Sequence, residues 1–281
     1  MAIIKKSDVF PKRPVIIVIY GTPGVGKTSL FNTSKNPILL DCDRGADRSV
    51  NRQDTIVATN WKEVLQDEGE IKNYDTLGID TAKAVLDDFL MTHVVEQDYK
   101  MKANKLKAYG AIGDEFKLFV NKRRNEGIDI VVIAHAKEEK DGDVIKLSPD
   151  VTGQSKDLLL RIADQVGFLT MVNNKRTLTF EPTDKTIGKN VAKLPTLEIP
   201  DENDPASYDF EMTDIYMRSL CECGTEIFYR LRASIEHYKK EGTLPPKDYL
   251  KWAKICEHII LHYNQGWANG FKMNVKYWEV W

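Results

Sequence analysis

The stretch Gly21–Thr28, with the sequence GTPGVGKT, decides the fold of this 281-residue chain. It follows an apolar run from Pro14 to Tyr20 that predicts a buried β-strand, and a helix can begin at Ser29 directly after it. Strand, glycine-rich turn and helix in this order predict a phosphate-binding loop, because the glycines let successive backbone N–H groups point at a triphosphate. We therefore expect ATP or GTP to bind through Gly21, Thr22, Pro23, Gly24, Val25, Gly26, Lys27, Thr28 and Ser29.

Three residues have specific roles in this interpretation. Lys27 is expected to reach the β- and γ-phosphates, and the Thr28 hydroxyl is expected to hold Mg²⁺. Asp80 ends an apolar strand further along the chain, where a carboxylate completes the Mg²⁺ shell through water. The cofactors expected at this site are a nucleoside triphosphate, most simply ATP, and Mg²⁺.

Acids and a histidine follow two other predicted strands. Asp41 and Asp43 come after the short strand 37–40, and a carboxylate there can orient the water that attacks the γ-phosphate. Both acids also suit a simple turn. His135 ends the strand 128–134, where a polar side chain can sense the γ-phosphate. A buried histidine at a strand end is the structural alternative.

Composition narrows the class of protein. Hydrophobic residues make up 42% and charged residues 29% of the chain, as in ordinary soluble proteins. The net charge of −2 argues neither for nor against a nucleic-acid partner. No apolar stretch has membrane length, and Lys5 and Lys6 interrupt the N-terminus too early for a signal peptide. Four cysteines form no disulfide framework, so we expect a cytoplasmic protein without a membrane partner.

Strand and helix signals alternate over the first two-thirds of the chain, which predicts a mostly parallel α/β sheet. A lysine-rich, weakly patterned segment covers residues 97–113. We place the core in residues 1–200. Residues 201–281 are expected to form an acidic linker and a small C-terminal helical segment, a hairpin with an aromatic tail. The cysteines of that hairpin are interpreted as core residues, because their spacing does not suit zinc.

These motifs together resemble the RecA-like ATPases encoded by phages, close to the Sak-type single-strand annealing and recombination proteins. The stretch LLDCDRGAD is similar to a strand end of that family, which implies a catalytic acid at Asp43. LGIDTA resembles the Walker B strand and implies the metal-associated acid at Asp80. IVVIAHA resembles the strand that ends in the polar sensor, here His135. Asp43 is one methylene shorter than the family's glutamate, which implies slow hydrolysis.

The resemblance also implies where DNA and neighbouring subunits act. The first DNA-binding loop corresponds to residues 100–110, with the contacts Lys100, Lys102, Lys105, Lys107 and Tyr109. Lysines neutralise phosphates and a tyrosine can stack on a base, although a solvated helical face is the alternative for such a run. The second loop, residues 137–156, mixes charges and also fits a β-hairpin packed on a neighbouring subunit. Lys185 and Lys189 correspond to lysines that act in trans on the adjacent ATP site.

We therefore expect a DNA-dependent ATPase that acts on single-stranded DNA in recombination or annealing, in the bacterial host cytosol. Its expected partners are single-stranded DNA, copies of itself in a ring or filament, and a single-strand-binding or replication protein. The alternative is a replication accessory or helicase-loader ATPase that binds a protein partner. A small-molecule kinase would need an arginine-rich lid and a GTPase would need an N-K-x-D motif, and the sequence contains neither.

Overall fold

A computed structural model describes residues 13–141, 144–201 and 240–241. The described residues from Arg13 to Asp201 belong to one compact unit. Their strands are β1 Ile16–Gly21, β2 Pro37–Asp41, β3 Asp54–Val57, β4 Thr76–Asp80, β5 Asp129–Asp141, β6 Val144–Pro149, β7 Gln165–Val172, β8 Lys175–Thr179, β9 Lys189–Asn190 and β10 Leu197–Ile199. Their helices are α1 Lys27–Phe31, α2 Trp61–Asp67, α3 Leu90–Gln97, α4 Lys100–Ala103, α5 Lys105–Asn125 and α6 Gly153–Ile162, with a π-helix at Ala84–Phe89 before α3.

The strands form one sheet in the order β10-β8-β7-β1-β5-β4-β2-β3. From β7 to β3 every neighbouring pair is parallel, which confirms the predicted α/β class with a mostly parallel sheet. The antiparallel pairs lie outside this series, where β8 joins β7, β10 joins β8, β9 joins β7 and β6 joins β5. β5 is therefore inserted between the phosphate-loop strand β1 and β4, which ends at Asp80.

The register of the parallel strands brings the predicted polar residues to one edge of the sheet. Gly21 at the end of β1 lies opposite His135 on β5, and Asp41 at the end of β2 lies opposite Asp80 on β4. The carboxyl ends of parallel strands share an edge, and ligands of open α/β sheets bind there. The sequence predicted each strand end separately, and the sheet order places them together.

Both faces of the sheet are covered. On one face, alternate residues of β1 such as Ile16 and Val18 join a buried cluster with the apolar sides of α3, α5 and α6. On the other face, α1 packs so closely that a Cβ atom at Gly78 would lie 2.5 Å from Cζ of Phe31. β1 is buried along its whole length, as expected of a central parallel strand.

The segment 97–113 differs from the expected loop, because it forms α4 and the first part of α5. The side chain of Asn104 caps α5 by accepting a hydrogen bond of 3.1 Å from the backbone N–H of Lys107. Ala108, Ile112 and Phe116 then recur at helical spacing and are buried. The sequence pattern did not indicate this apolar side, because lysines occupy the exposed positions between the buried residues.

β5 is also longer than the predicted strand 128–134. It continues past His135 and pairs with β6 from Ala136 to Asp141, so the first part of the expected second loop, residues 137–156, is a β-hairpin that extends the sheet. The predicted linker and C-terminal helical hairpin lie outside the described residues, apart from Asp201 and residues 240–241, and stay predictions. No helix in the described part of the chain is long and apolar enough to span a membrane.

Candidate nucleotide site

The backbone of the phosphate loop depends on glycine at three positions. Gly24 and Gly26 have positive φ angles of 76° and 89°, a conformation that other residues rarely adopt. A Cβ atom at Gly21 would lie 2.3 Å from the carbonyl oxygen of Leu169. Gly26 is the N-cap of α1, so the first N–H groups of this helix point out of the loop, where phosphate oxygens can accept hydrogen bonds.

Lys27 folds back over this loop. Its Nζ donates hydrogen bonds to the carbonyl oxygens of Gly21 and Thr22, at 3.1 and 2.9 Å, and the side chain is buried. Burial lowers the pKa of Lys27, whereas the charges of Asp80 and Asp43 raise it. The ammonium is thus held at the rim of the loop by backbone oxygens.

The hydroxyl of Thr28 donates a hydrogen bond of 2.6 Å to Oδ2 of Asp80. Burial raises the pKa of Asp80 to about 6, and the hydrogen bond from Thr28 acts in the opposite direction. This pair fits Mg²⁺, because a hydroxyl and a carboxylate are the hard oxygen donors that this ion prefers. Within the described residues no group of three or more histidine, cysteine or acidic side chains could hold a metal.

The two acids that follow β2 have different surroundings. Asp41 is only 3% exposed, and its carboxylate accepts hydrogen bonds from the backbone N–H groups of Gly45 (3.1 Å) and Ala46 (2.9 Å). Asp43 faces the cavity above the phosphate loop. Partial burial and then the charge of Asp41 raise the pKa of Asp43, whereas His135 and Arg48 lower it. Asp41 therefore holds the turn, and Asp43 is the acid in position to meet a ligand.

His135 lies beside the phosphate loop on β5. Its Nδ1 atom is buried and has no hydrogen-bond partner in the described part of the molecule. Burial and the charge of Lys27 lower the pKa of His135, although Asp43 raises it. The lowered pKa favours the neutral imidazole, and the ring of His135 lines the cavity.

These side chains line one cavity of about 450 Å³ at the carboxyl edge of the sheet. Its walls are the phosphate loop, the segment after β2 with Asp43, Arg48 and Ser49, and the strand ends Asp80 and His135. The volume is in the range of small-molecule sites. Arg48 and Ser49 were missed by the sequence interpretation, because nothing but the turn at Gly45 marks them.

Residues 13–191, more than half of the chain, match the model of a protein family described as an AAA domain (AAA_24). The chain belongs to this family. The match covers the phosphate loop, the acids and His135, and it supports a P-loop NTPase core.

Comparison with curated proteins found no matching sequence. Among solved structures, the crystal structure of a KaiC-like protein from the hyperthermophilic archaeon Pyrococcus horikoshii OT3 is similar to 59% of this chain. The similarity covers 77% of the archaeal chain, with 13% identity and a TM-score of 0.38.

The lysine segment of this AAA domain, defined as residues 99–107 with α4 and the start of α5, is exposed. Lys100, Lys102, Lys105 and Lys107 all face solvent, as expected. Tyr109 differs from the expectation, because it packs half-buried against the core. Tyr99, which the sequence interpretation did not single out, is instead 77% exposed.

The two lysines expected to act in trans have different positions in the AAA domain. Nζ of Lys189 donates hydrogen bonds to the carbonyl oxygens of Leu160 (3.3 Å) and Arg161 (3.4 Å), and also to that of Ala163. This placement at the end of α6 favours a structural role over an action on a neighbouring subunit. Lys185 is exposed beside β6, and its action in trans stays a prediction.

Proposed function

We propose that this AAA domain is an ATPase whose turnover requires Mg²⁺ and is stimulated by single-stranded DNA. The observation that carries the proposal is the lysine segment itself, a group of exposed lysines around the exposed Tyr99 at the start of the long helix α5. The resemblance to phage Sak-type annealing and recombination proteins, and assembly into a ring or filament, belong to the same proposal.

Each residue that lines the cavity has its own role in ATP hydrolysis. Lys27 exchanges its bonds to the loop carbonyls for bonds to the β- and γ-phosphates. Asp43 orients the attacking water and accepts its proton, for which a raised pKa is favourable. Neutral His135, which lines the cavity, hydrogen-bonds the γ-phosphate or the water. Thr28 and Asp80 would hold Mg²⁺, which would supply positive charge to neutralise the transferring phosphoryl group.

The length of α5 supports a position of the lysine segment at the carboxyl edge of the sheet. A short connection returns the chain from the end of α5 into β5, so the helix runs antiparallel to that strand. A helix from Lys105 to Asn125 spans roughly 31 Å, whereas β5 from Asp129 to His135 spans only roughly 23 Å. The first turn of α5 therefore reaches beyond the edge of the sheet that holds His135.

The lysine segment has the chemistry of a single-strand site. Lys100, Lys102 and Lys105 make no ion pair with any described residue, and Nζ of Lys107 lies 3.6 Å from Oδ2 of Asp98. Tyr99 and Leu106, which are 77% and 69% exposed, lie among them. Nζ of Lys102 is 5.9 Å from the centre of the Tyr99 ring. Cations beside an exposed aromatic ring suit a flexible strand, because they bind its phosphates while the ring stacks on a base.

We infer that the hairpin formed by β5 and β6 couples conformational change at the nucleotide site to DNA binding. β5 runs without a break from His135 at the cavity into this hairpin, which rises from the same edge of the sheet. The backbone N–H of Asp150 donates a 2.8 Å hydrogen bond to the carbonyl of His135, so the far end of the hairpin also returns to the site. We infer that a change at His135 on hydrolysis is passed to this hairpin.

The test is ATP turnover by the full chain in Mg²⁺, with and without single-stranded DNA, with duplex DNA as a comparison. We expect stimulation by single strands that requires Mg²⁺ and is lost in Lys27→Ala. Turnover that ignores DNA, together with an absence of salt-dependent DNA binding, would overturn the DNA part of the proposal. That result would favour an accessory ATPase that meets a protein partner.

A further inference from the structure

The hairpin of β7 and β8 forms a wall on the side of the phosphate loop that faces away from the acids. β1 lies between β5 and β7, and the catalytic candidates Asp43, Asp80 and His135 all follow strands on the β5 side. β7 pairs with β1 up to Leu169, opposite Gly21, and then continues for three residues beyond the edge of the sheet. β8 returns beside it. This hairpin therefore stands next to the loop where the rest of a nucleotide must lie.

Arg176 on β8 lies directly against the phosphate loop. A Cβ atom at Gly26 would be 3.0 Å from both Cζ and Nη1 of Arg176 and 3.3 Å from its Nε. Because three atoms of the guanidinium are almost equally distant from this point, the plane of the group faces Gly26. The planar guanidinium of Arg176 thus lies against the N-cap of α1, on the side of the loop opposite Asp43 and Asp80.

An apolar side chain accompanies this cation. Met171 on β7 is the cross-strand partner of Arg176, so both side chains lie on the same side of the hairpin. Leu178, two residues after Arg176, covers Gly167 of β7 on this side of the sheet. Met171 is 52% exposed, although its neighbours along the same side are buried. A flexible thioether beside a planar cation suits a flat heteroaromatic ring.

The path of the nucleotide joins these observations. In the proposed nucleotide site, Lys27, Thr28 and Asp80 would hold the γ-phosphate and its metal on the β5 side, and the loop would surround the β-phosphate. The α-phosphate and nucleoside would then extend past Gly26 and the start of α1, toward β7 and β8. A base that leaves in this direction meets the guanidinium of Arg176 and the side chain of Met171.

We propose that Arg176 and Met171 form the nucleoside subsite, in which the guanidinium stacks on the base and favours a purine over a pyrimidine. This inference deepens the proposed function and depends on its nucleotide site. The larger ring system of a purine covers more of the planar cation and of Met171, so ATP and GTP bind more tightly than CTP and UTP. Arg176 acts within its own chain, unlike a finger from a neighbouring subunit.

The experiment measures dissociation constants of ATP, CTP and inorganic tripolyphosphate for the full chain and for Arg176→Ala, Arg176→Lys and Met171→Ala. Tripolyphosphate reports the loop alone, because it has no base. We expect Arg176→Ala to bind ATP about 10-fold more weakly, the equivalent of about 1.4 kcal/mol, and to lose its preference for ATP over CTP. Tripolyphosphate affinity should be unchanged.

Arg176→Lys separates stacking from charge, because it keeps the cation and removes the plane. We expect it to lose the purine preference as Arg176→Ala does, and Met171→Ala to lose part of it. Lys175→Ala is the matched control: it removes a cation from the same strand that is directed to the opposite side and paired with Glu198 at 2.8 Å. Each variant is first checked for an unchanged circular dichroism spectrum and melting temperature.

The outcomes separate this inference from the function beneath it. A wild-type chain that binds neither ATP nor tripolyphosphate contradicts the nucleotide site itself. A wild-type chain that binds ATP, with Arg176→Ala unchanged in affinity and base preference, overturns only the nucleoside subsite. Equal weakening for ATP and tripolyphosphate also overturns it, because Arg176 would then be a phosphate ligand.

Discussion

The phosphate loop and the lysine segment are the two regions of the proposed function, and the protein holds them in opposite ways. The loop is confined on several sides: Gly21 lies against Leu169, Gly26 lies against Arg176, and Lys27 is buried. The lysine segment has only short helical turns, with exposed cations and the exposed Tyr99. A triphosphate has one shape and needs donors fixed in advance, whereas a single strand is flexible and needs charge and a ring within reach.

The largest effect on ATP turnover should come from a substitution in the phosphate loop. We expect Lys27→Ala to lower ATP turnover by about 100-fold or more, because it removes a cation that stabilises charge in the transition state. The apolar strands that hold the core do not depend on this ammonium, so the melting temperature should change little. Steady-state ATPase rates and a thermal melt check both points. A folded variant with normal turnover would contradict the phosphate-loop interpretation.

The next prediction divides the two acids after β2. Asp43→Asn should slow hydrolysis by about 100-fold and leave ATP affinity almost unchanged, because an amide cannot accept the proton. Asp41→Asn should instead destabilise the protein by about 1–3 kcal/mol, because a buried carboxylate that accepts two backbone hydrogen bonds is replaced.

Single-turnover rates, ATP titration and urea unfolding measure these effects for both variants. The reverse result, with Asp41→Asn inactive but fully stable, would move the catalytic role to Asp41.

A smaller and different effect is expected from the exposed region. Replacing Lys102, Lys105 and Lys107 by alanine removes three cations, so the log–log salt slope of single-strand binding should flatten by up to about 2. Turnover without DNA should stay the same, because these residues do not line the cavity. Fluorescence anisotropy at several salt concentrations gives the slope. An unchanged slope in a folded variant would show that the lysines form only a solvated surface.

Tyr99 and Tyr109 test whether the exposed region binds DNA through a ring that is not part of the core. Tyr99→Ala should weaken single-strand binding by about 1–3 kcal/mol without loss of stability, because this exposed ring is free to stack on a base. Tyr109→Ala should act mainly on stability, since this ring packs against the core. Binding and melting measurements on both variants suffice, and equal losses of affinity would argue against Tyr99 as the stacking residue.

The smallest effect concerns the hairpin that joins the two regions. The hydrogen bond from Lys156, and to a smaller extent that from Lys137, lowers the pKa of Glu139 from the ordinary 4.5 to about 2 in the folded protein. The contact of Glu139 with Lys156 is 2.5 Å long, and the glutamate side chain is 30% exposed. The stabilisation is therefore fully present above pH 4.5 and is lost as the pH falls toward 2.

Glu139→Gln should cost on the order of 1 kcal/mol at pH 7, after allowance for screening by solvent, and much less near pH 2. Urea unfolding at both pH values measures the difference. Glu138→Gln, a change at the exposed neighbour, is the control and should have little effect. A cost that stays constant with pH would mean that the ion pair is not its cause.

The sequence by itself determined what depends on neighbouring residues along the chain. The glycines at positions 24 and 26 adopt positive φ because of the loop they build, and the unbroken apolar runs of β1 and β5 become buried parallel strands. These local rules, together with the strand ends at Asp80 and His135, were enough to predict the α/β class and the nucleotide site. They failed for residues 97–113, where lysines masked the buried positions Ala108 and Ile112.

Only the tertiary structure decided which of two similar residues meets a ligand. Asp41 and Asp43 are two residues apart. Asp41 accepts hydrogen bonds from backbone N–H groups, whereas Asp43 lines the cavity. Arg176 reaches the phosphate loop from a strand 150 residues away, and no pattern in the sequence marks it. The physical reason is that backbone conformation and burial follow from local chemistry, whereas the environment of a polar side chain depends on the segments that the fold brings against it.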